Sequence, residues 1–196
     1  MSIVLASQSA ARRALLHGAG VPHDAVVAGV DEDAVKATLL AAGQGPREVA
    51  DALAEAKALR VSQARPGWVI GADQTLDLDG RLYDKAPDLA AARSRLVELR
   101  GKTHRLHSAV VVAKAGRPIW REIATSSLTM RDFSDAFLED YLAREGEAAL
   151  GSVGCYRLEG PGAQLFAAIE GDYFGILGLP LLGLLDFLRR EGALAA

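Results

Sequence analysis

The chain has 196 residues, 50% of them apolar and 24% charged, with a formal net charge of −3. This is the composition of a globular protein with one sizeable core or two small lobes, and the weak negative charge argues against broad, non-specific nucleic-acid binding. The single cysteine, Cys155, excludes an intrachain disulfide and a cysteine-built zinc site, and it suits a reducing, cytoplasmic setting. The start, Met1-Ser2-Ile3-Val4-Leu5-Ala6, lacks the features of a signal peptide. The apolar stretch 174–188 is broken by Gly178-Leu179-Pro180, carries Asp186 and is too short to span a membrane, so it is expected to be core.

Residues 2–6 form an apolar run of strand type, and Ser7 or Ser9 caps a helix that continues through Arg12, Arg13, Leu15 and Leu16 to Gly18 and Gly20. A second strand is expected at 23–28. Asp31-Glu32-Asp33 opens a helix, where acids complement the dipole. Residues 43–46 break it, and Pro46 starts another helix through Val49, Leu53, Ala56 and Lys57 to about Gln63. The run 68–73 reads as a central buried strand ending at Asp73, with a hairpin around Asp79-Gly80 behind it. Residues 88–100 are helical, with Ala92, Leu96 and Leu99 on one face. Two long strands, 104–113 and 118–130, flank the turn Ala115-Gly116. A capped helix covers 134–144, the glycine-rich segment 151–175 is expected to be strand-like, and 180–191 form a closing helix. Helices interleaved with long hairpins predict an α/β fold with a mixed sheet, rather than a purely doubly wound parallel one.

Asp73 is the residue that most suggests chemistry. It stands at the end of a buried run, followed by Gln74-Thr75, a short hairpin and Lys85. An acid able to hold a metal, nearby cations and a serine-rich turn with free amides are what reaction at a polyphosphate requires. Each residue also has a plainer reading. Asp73 can cap a turn, Glu32 can serve only the helix dipole, Lys57 can be a solvated lysine, and Glu159 can simply face solvent. Arg13 is assigned a structural role. His104 and His107 stand three apart in an expected strand and therefore on opposite faces, which makes them poor co-ligands of one metal. Cys155 is expected in the core, and Phe166, Tyr173 and Phe174 in the core or at a subunit contact.

Several blocks together resemble the Maf family of nucleotide pyrophosphatases, related in fold to the inosine-triphosphate pyrophosphatases. They are Leu5-Ala6-Ser7-Gln8-Ser9 with Arg12-Arg13, Asp31-Glu32, Ala54-Glu55-Ala56-Lys57-Ala58, Ile70-Gly71-Ala72-Asp73, Asp84-Lys85-Ala86-Pro87-Asp88, Gly154-Cys155-Tyr156 with Glu159-Gly160, and Ile169-Glu170-Gly171-Asp172-Tyr173. Any one block is a weak signal; their order along nearly the whole chain is specific. The resemblance implies one domain over residues 1–196, with two lobes around a central cleft and a homodimeric state. It implies hydrolysis of a nucleoside triphosphate to a monophosphate and pyrophosphate. In that pattern Asp73 is the general base or metal-bound water activator, and Glu32 shares the divalent ion, Mg²⁺ or Mn²⁺, with it. Arg12, Lys57 and Lys85 are the phosphate-contacting cations, Lys85 counted with the catalytic group, and Ser7 and Ser9 cradle phosphate oxygens.

The chain departs from the family's best-known form at Ala11, where an arginine is common, at Gln74, where threonine is common, and at Glu159, where glutamine is common. Gln74 and Glu159 resemble the subgroup acting on 7-methyl-GTP, in which an aromatic residue commonly stands where this chain has Ala11. The alternatives are a dTTP/UTP pyrophosphatase, a pyrophosphatase of nucleotide sugars or dinucleotides, and a nucleotide-binding regulator of septum formation with little turnover. No nucleic-acid or membrane partner is expected.

Overall fold

Aliphatic and β-branched runs become the strands of this protein, and alanine- and leucine-rich segments become its helices. The computed structural model describes residues 2–195. In chain order the elements are β1 (Ile3–Ala6), α1 (Ala10–Gly18), β2 (Asp24–Ala25), α2 (Glu32–Ala41), α3 (Pro46–Ser62), β3 (Trp68–Leu78) and β4 (Arg81–Tyr83). They continue with α4 (Leu89–Leu99), β5 (Thr103–Lys114), β6 (Arg117–Met130), α5 (Asp135–Glu145), β7 (Phe166–Glu170), α6 (Tyr173–Ile176) and α7 (Leu181–Arg190). Side chains close the helix starts as expected: Ser9, Asp31, Asp88 and Ser134 cap α1, α2, α4 and α5.

The strands form one seven-stranded sheet in the order β2-β1-β3-β5-β6-β7, with β4 also paired to β3. β1 runs parallel to β2 and β3, and the remaining pairs are antiparallel. This is the mixed α/β architecture expected from the sequence. Both tight hairpins use two successive left-handed residues, Asp79-Gly80 (φ 54° and 83°) and Ala115-Gly116 (φ 51° and 74°). That geometry matches the twist of the flanking strands.

β1 pairs with β3 only as far as Ala6 opposite Gly71, and β4 joins β3 only from Tyr83 opposite Leu76. Residues 72–75 therefore have an open edge on that side, at the end of a parallel strand where sheet topology commonly leaves a crevice. On one face, α3 lies directly against β3. A Cβ on Gly71 would come within 2.1 Å of the Ala54 carbonyl oxygen and 2.5 Å of the Ala58 nitrogen, so the close approach needs glycine. Small residues fill this layer: Ala50, Ala54 and Ala58 against Ala109, Val111 and Ala113. The other face carries two separate apolar clusters. One gathers Leu16, Ile70, Ala72, Leu184 and Phe187, and the other Leu76, Leu96, Leu99, Leu138 and Tyr141. Asp73 and Gln74 fall between the β3 contributions to these two centres.

Four expectations change. The strand expected at 23–28 shrinks to Asp24–Ala25, because the four-residue β1 offers so short a partner. The central strand does not end at Asp73 but continues to Leu78, since β5 pairs with it along that length. The segment 151–175 is mostly not strand. Ser152 Oγ accepts from the Tyr156 amide (3.0 Å) and donates to the Tyr156 carbonyl (2.7 Å), folding the chain back on itself, and only Phe166–Glu170 finds a partner strand. Phe166, Tyr173 and Phe174 do not form one cluster: Phe166 packs with Tyr156 and His104, while Tyr173 meets Phe174. In α7, Leu181, Leu184, Phe187 and Leu188 are buried, and among the described residues no helix is long and apolar enough to cross a membrane.

Replacing Gly71 by alanine tests the β3–α3 contact. The added methyl meets backbone, which cannot rotate away, so we expect a loss of about 3 kcal/mol in the free energy of denaturant unfolding. A loss below about 1 kcal/mol would show that α3 can retreat freely.

Candidate active site

Beside the open edge of β3 lies a cleft of about 660 Å³. Its lining contains every residue singled out in the sequence: Ser7, Ser9, Ala11, Arg12, Glu32, Lys57, Asp73, Gln74, Lys85 and Glu159. It also contains residues to which the sequence assigned no role in the site, among them Tyr156, Arg157 and the 176–178 segment.

Asp73 is buried and sits on the α3 face of β3. Lys57 meets it there, with Nζ 2.6 Å from Asp73 Oδ1. The same ammonium is 2.9 Å from Glu32 Oε1, at the first turn of α2. Lys57, expected as a phosphate contact, thus lies between the two acids. Among the described residues no side-chain hydrogen bond involves Asp73 Oδ2, and that oxygen is not among the buried unpaired atoms. Among the described residues no group of three or more His, Cys, Asp or Glu side chains gathers to hold a metal, so the acid pair is the available carboxylate set.

Arg12 is buried. Its Nη1 donates to the Ala72 carbonyl (3.0 Å) and to Ser7 Oγ (3.2 Å), and its Nε donates to the Gly178 carbonyl (2.8 Å). These bonds fasten α1 to the open edge of β3 and to the turn before α7, and Nη2 has no acceptor among the described residues. Burial pulls the guanidinium below its ordinary value, while Asp73 and then Glu32 oppose the shift. Ser7 Oγ also accepts from the Ser9 amide (3.2 Å), and Ser9 caps α1. The first amides of α1, at Ala10 and Ala11, have no partner within the helix and line the cleft, as an anion site requires.

Lys85 approaches from the loop after β4. Desolvation lowers its ammonium below the usual lysine value, repulsion from Arg12 adds to this, and attraction to Asp73 and Glu32 works against it. Gln74 lies on the face opposite Asp73. Its Nε2 faces Ser108 Oγ (2.8 Å), the Ile176 carbonyl (3.0 Å) and the Gly175 carbonyl (3.2 Å). Carbonyls only accept, so the amide nitrogen must point there, and Oε1 is left to the cleft as an acceptor.

His104 and His107 do point to opposite faces. His107 faces Asp77 (3.3 Å) and Thr125 (3.0 Å), and His104 Nε2 lies 2.7 Å from Tyr156 Oη. Cys155 is fully buried beneath the cleft wall.

The profile of the family described as Maf-like protein matches residues 2–191. The chain belongs to this family. A nucleoside triphosphate pyrophosphatase of Caulobacter vibrioides is 66% identical over 98% of this chain and 96% of its own length. Another protein of that name, from Granulibacter bethesdensis, is 55% identical over 99% of both chains. A protein named 7-methyl-GTP pyrophosphatase, from Brucella abortus, is 50% identical over 97% of this chain and 96% of its own.

Burial pushes the His104 imidazole down from 6.5 to about 4, so it is neutral in the folded protein at neutral pH. The unfolded chain binds that proton below about pH 6.5. Stability contributed by neutral His104 is therefore complete above that pH and is lost as pH falls toward 4. The expected loss is about 3 kcal/mol. Denaturant unfolding at pH 7 and pH 4.5, compared between wild type and His104→Leu, should show a markedly weaker pH dependence in the variant; equal slopes would refute the assignment.

Proposed function

We propose that the cleft hydrolyses a nucleoside triphosphate bearing a 7-methylguanine base, with Asp73 as the general base at the reacting phosphate. The reaction class rests on family membership and on relatives of 50–66% identity named for it. The chain is a nucleoside triphosphate pyrophosphatase, a hydrolase of the α–β phosphoanhydride bond. The observation that carries the site reading is the Asp73–Lys57–Glu32 arrangement at the open edge of β3, beside Arg12 and Lys85 in one cleft.

Arg12, held rigidly, offers its free Nη2 donors to phosphate oxygens, together with the α1 amides and the Ser7 and Ser9 hydroxyls. Asp73 takes a proton from the attacking water as the new oxygen–phosphorus bond forms at the α-phosphorus. The bridging bond then breaks toward pyrophosphate, whose added charge Lys85 offsets. Lys57 holds the Asp73 carboxylate in place. Asp73 and Glu32, each with an oxygen not engaged by Lys57, would hold a hard divalent ion of the Mg²⁺ or Mn²⁺ kind. Such an ion, when bound, shields the charge on the phosphate oxygens.

The base reading rests on two acceptors, the Glu159 carboxylate and Gln74 Oε1. The N1–H and amino edge of 7-methylguanine supplies donors, and its positive charge favours a carboxylate over a neutral amide. Ala11 leaves the α1 side of the cleft without an aromatic platform, and Tyr156 is the aromatic residue of the lining.

Pyrophosphate release from 7-methyl-GTP, GTP, dTTP, UTP and CTP with Mg²⁺ or Mn²⁺ tests this. We expect 7-methyl-GTP to be fastest and Glu159→Gln to reduce its advantage about tenfold. Asp73→Asn should lower turnover by roughly 10²-fold or more while nucleotide binding persists. A preference for dTTP or UTP would overturn the base assignment. Binding without any turnover would instead support a nucleotide-binding regulator.

A further inference from the structure

We propose that Glu145 is a positioning residue for base selectivity: by holding Arg157, it keeps Glu159 as an unpaired carboxylate in the cleft. The inference rests on the Glu159 reading above. Glu145 is the last residue of α5, and Gly146 follows at φ 53°. A carboxylate there faces the negative end of the helix dipole, where acids are disfavoured. Its side chain is also only 2% accessible. A buried charge in such a place needs a partner.

Arg157 is that partner. Its Nε donates to Glu145 Oε2 (2.9 Å) and its Nη2 donates to Oε1 (3.3 Å), a two-pronged pairing that fixes the plane of the guanidinium. The Gly160 amide donates to the Arg157 carbonyl (3.4 Å), so Leu158 and Glu159 are the central residues of a tight turn. Gly160 closes that turn against the same carboxylate; a Cβ there would lie 3.3 Å from Glu145 Oε1. Glu145 therefore holds the start of the turn through Arg157 and lies beside its end at Gly160, with Glu159 between them.

The charge relation follows. Arg157 stands two residues from Glu159, and both line the cleft. Glu145 is the main reason that the guanidinium holds its proton more tightly than usual, with Glu159 contributing less. Both of its side-chain hydrogen bonds go to Glu145. Without Glu145, the carboxylate left acting on Arg157 is Glu159, and pairing would cancel the negative charge that a cationic base is proposed to meet. Arg157 thus belongs to the selectivity device even where it makes no contact with the base.

The test compares the ratio of kcat/KM for 7-methyl-GTP over GTP in wild type, Glu145→Gln and the double variant Glu145→Gln/Arg157→Met. The single variant frees Arg157, and the ratio should fall about tenfold, with little change in kcat for GTP. The double variant removes the freed cation as well as the acid, and the ratio should return to within about threefold of wild type. A merely structural role predicts that the double variant is as poor as the single one or poorer. That result, or an unchanged ratio in Glu145→Gln, would overturn the proposal. A crystal structure of Glu145→Gln gives a readout independent of substrate: Arg157 should be salt-bridged to Glu159. If wild type shows no preference for the methylated base, the base assignment falls, and this structure alone decides whether Glu145 keeps the two apart.

Discussion

Lys57 carries one positive charge between two carboxylates beside a buried strand, and much of the surrounding structure serves that placement. Taking a lysine and an aspartate out of water costs several kcal/mol each before their attraction is counted. The arrangement holds because the ammonium meets Asp73 at 2.6 Å and Glu32 at 2.9 Å, so neither the cation nor the buried acid is left alone. It also requires α3 to lie almost on the backbone of β3, which the missing side chain of Gly71 permits. Thr75 strengthens the seam by donating to the Pro46 carbonyl (2.8 Å), and Arg121 reaches from β6 to Asp51 and Glu55 on α3. A helix held at three points has little freedom to carry Lys57 away.

The second constraint is the open edge of β3. Between the end of β1 and the start of β4, residues 72–75 offer main-chain groups that no strand satisfies. Arg12 answers one of them at Ala72, and the same guanidinium fixes the Gly178 carbonyl across the cleft. An arginine with a planar fork does this in one rigid unit, where a lysine offers a mobile point charge. The cations are thus arranged before a polyanion arrives, and preorganised charge is what phosphoryl chemistry rewards.

Much of this was legible in the residues, for identifiable reasons. Pro46 marked the start of α3, and periodicity and capping side chains located α4 and α5, because burial of one helical face and the first-turn amides impose local patterns. The hairpins at Asp79-Gly80 and Ala115-Gly116 were legible because left-handed pairs favour glycine and aspartate or asparagine. The extent of β3 was not legible, since continuation past Asp73 depends on β5, a partner 28 to 34 residues later. The segment 151–175 misled for a related reason: glycine and aliphatic residues suit a strand as well as a packed turn, and only the Ser152 bonds to Tyr156 decide. Lys57 appeared as a cation near phosphate, but its two acid partners come from distant segments that sequence spacing cannot bring together. Glu145 did carry a local signal, an acid at a helix end where the dipole disfavours it. Its meaning emerged only with Arg157 beside it.

The two halves of the cleft differ in mechanical character. The residues proposed for phosphate chemistry hang from β3, α1, α2 and α3, with Lys85 in the loop after β4. Of the two residues proposed to meet the base, Gln74 stands on β3, whereas Glu159 sits in the irregular segment around 151–160. That segment is tied down by side chains: Arg95 Nη1 donates to the Val153 carbonyl (2.7 Å), Tyr141 Oη to the Cys155 carbonyl (3.0 Å), and Arg157 is anchored on Glu145. An irregular segment so anchored can change residues facing the cleft without disturbing strand pairing. Selectivity carried by position 159 can therefore diverge among relatives while the phosphate machinery stays fixed, because this segment shares the cleft with that machinery but few of its supports.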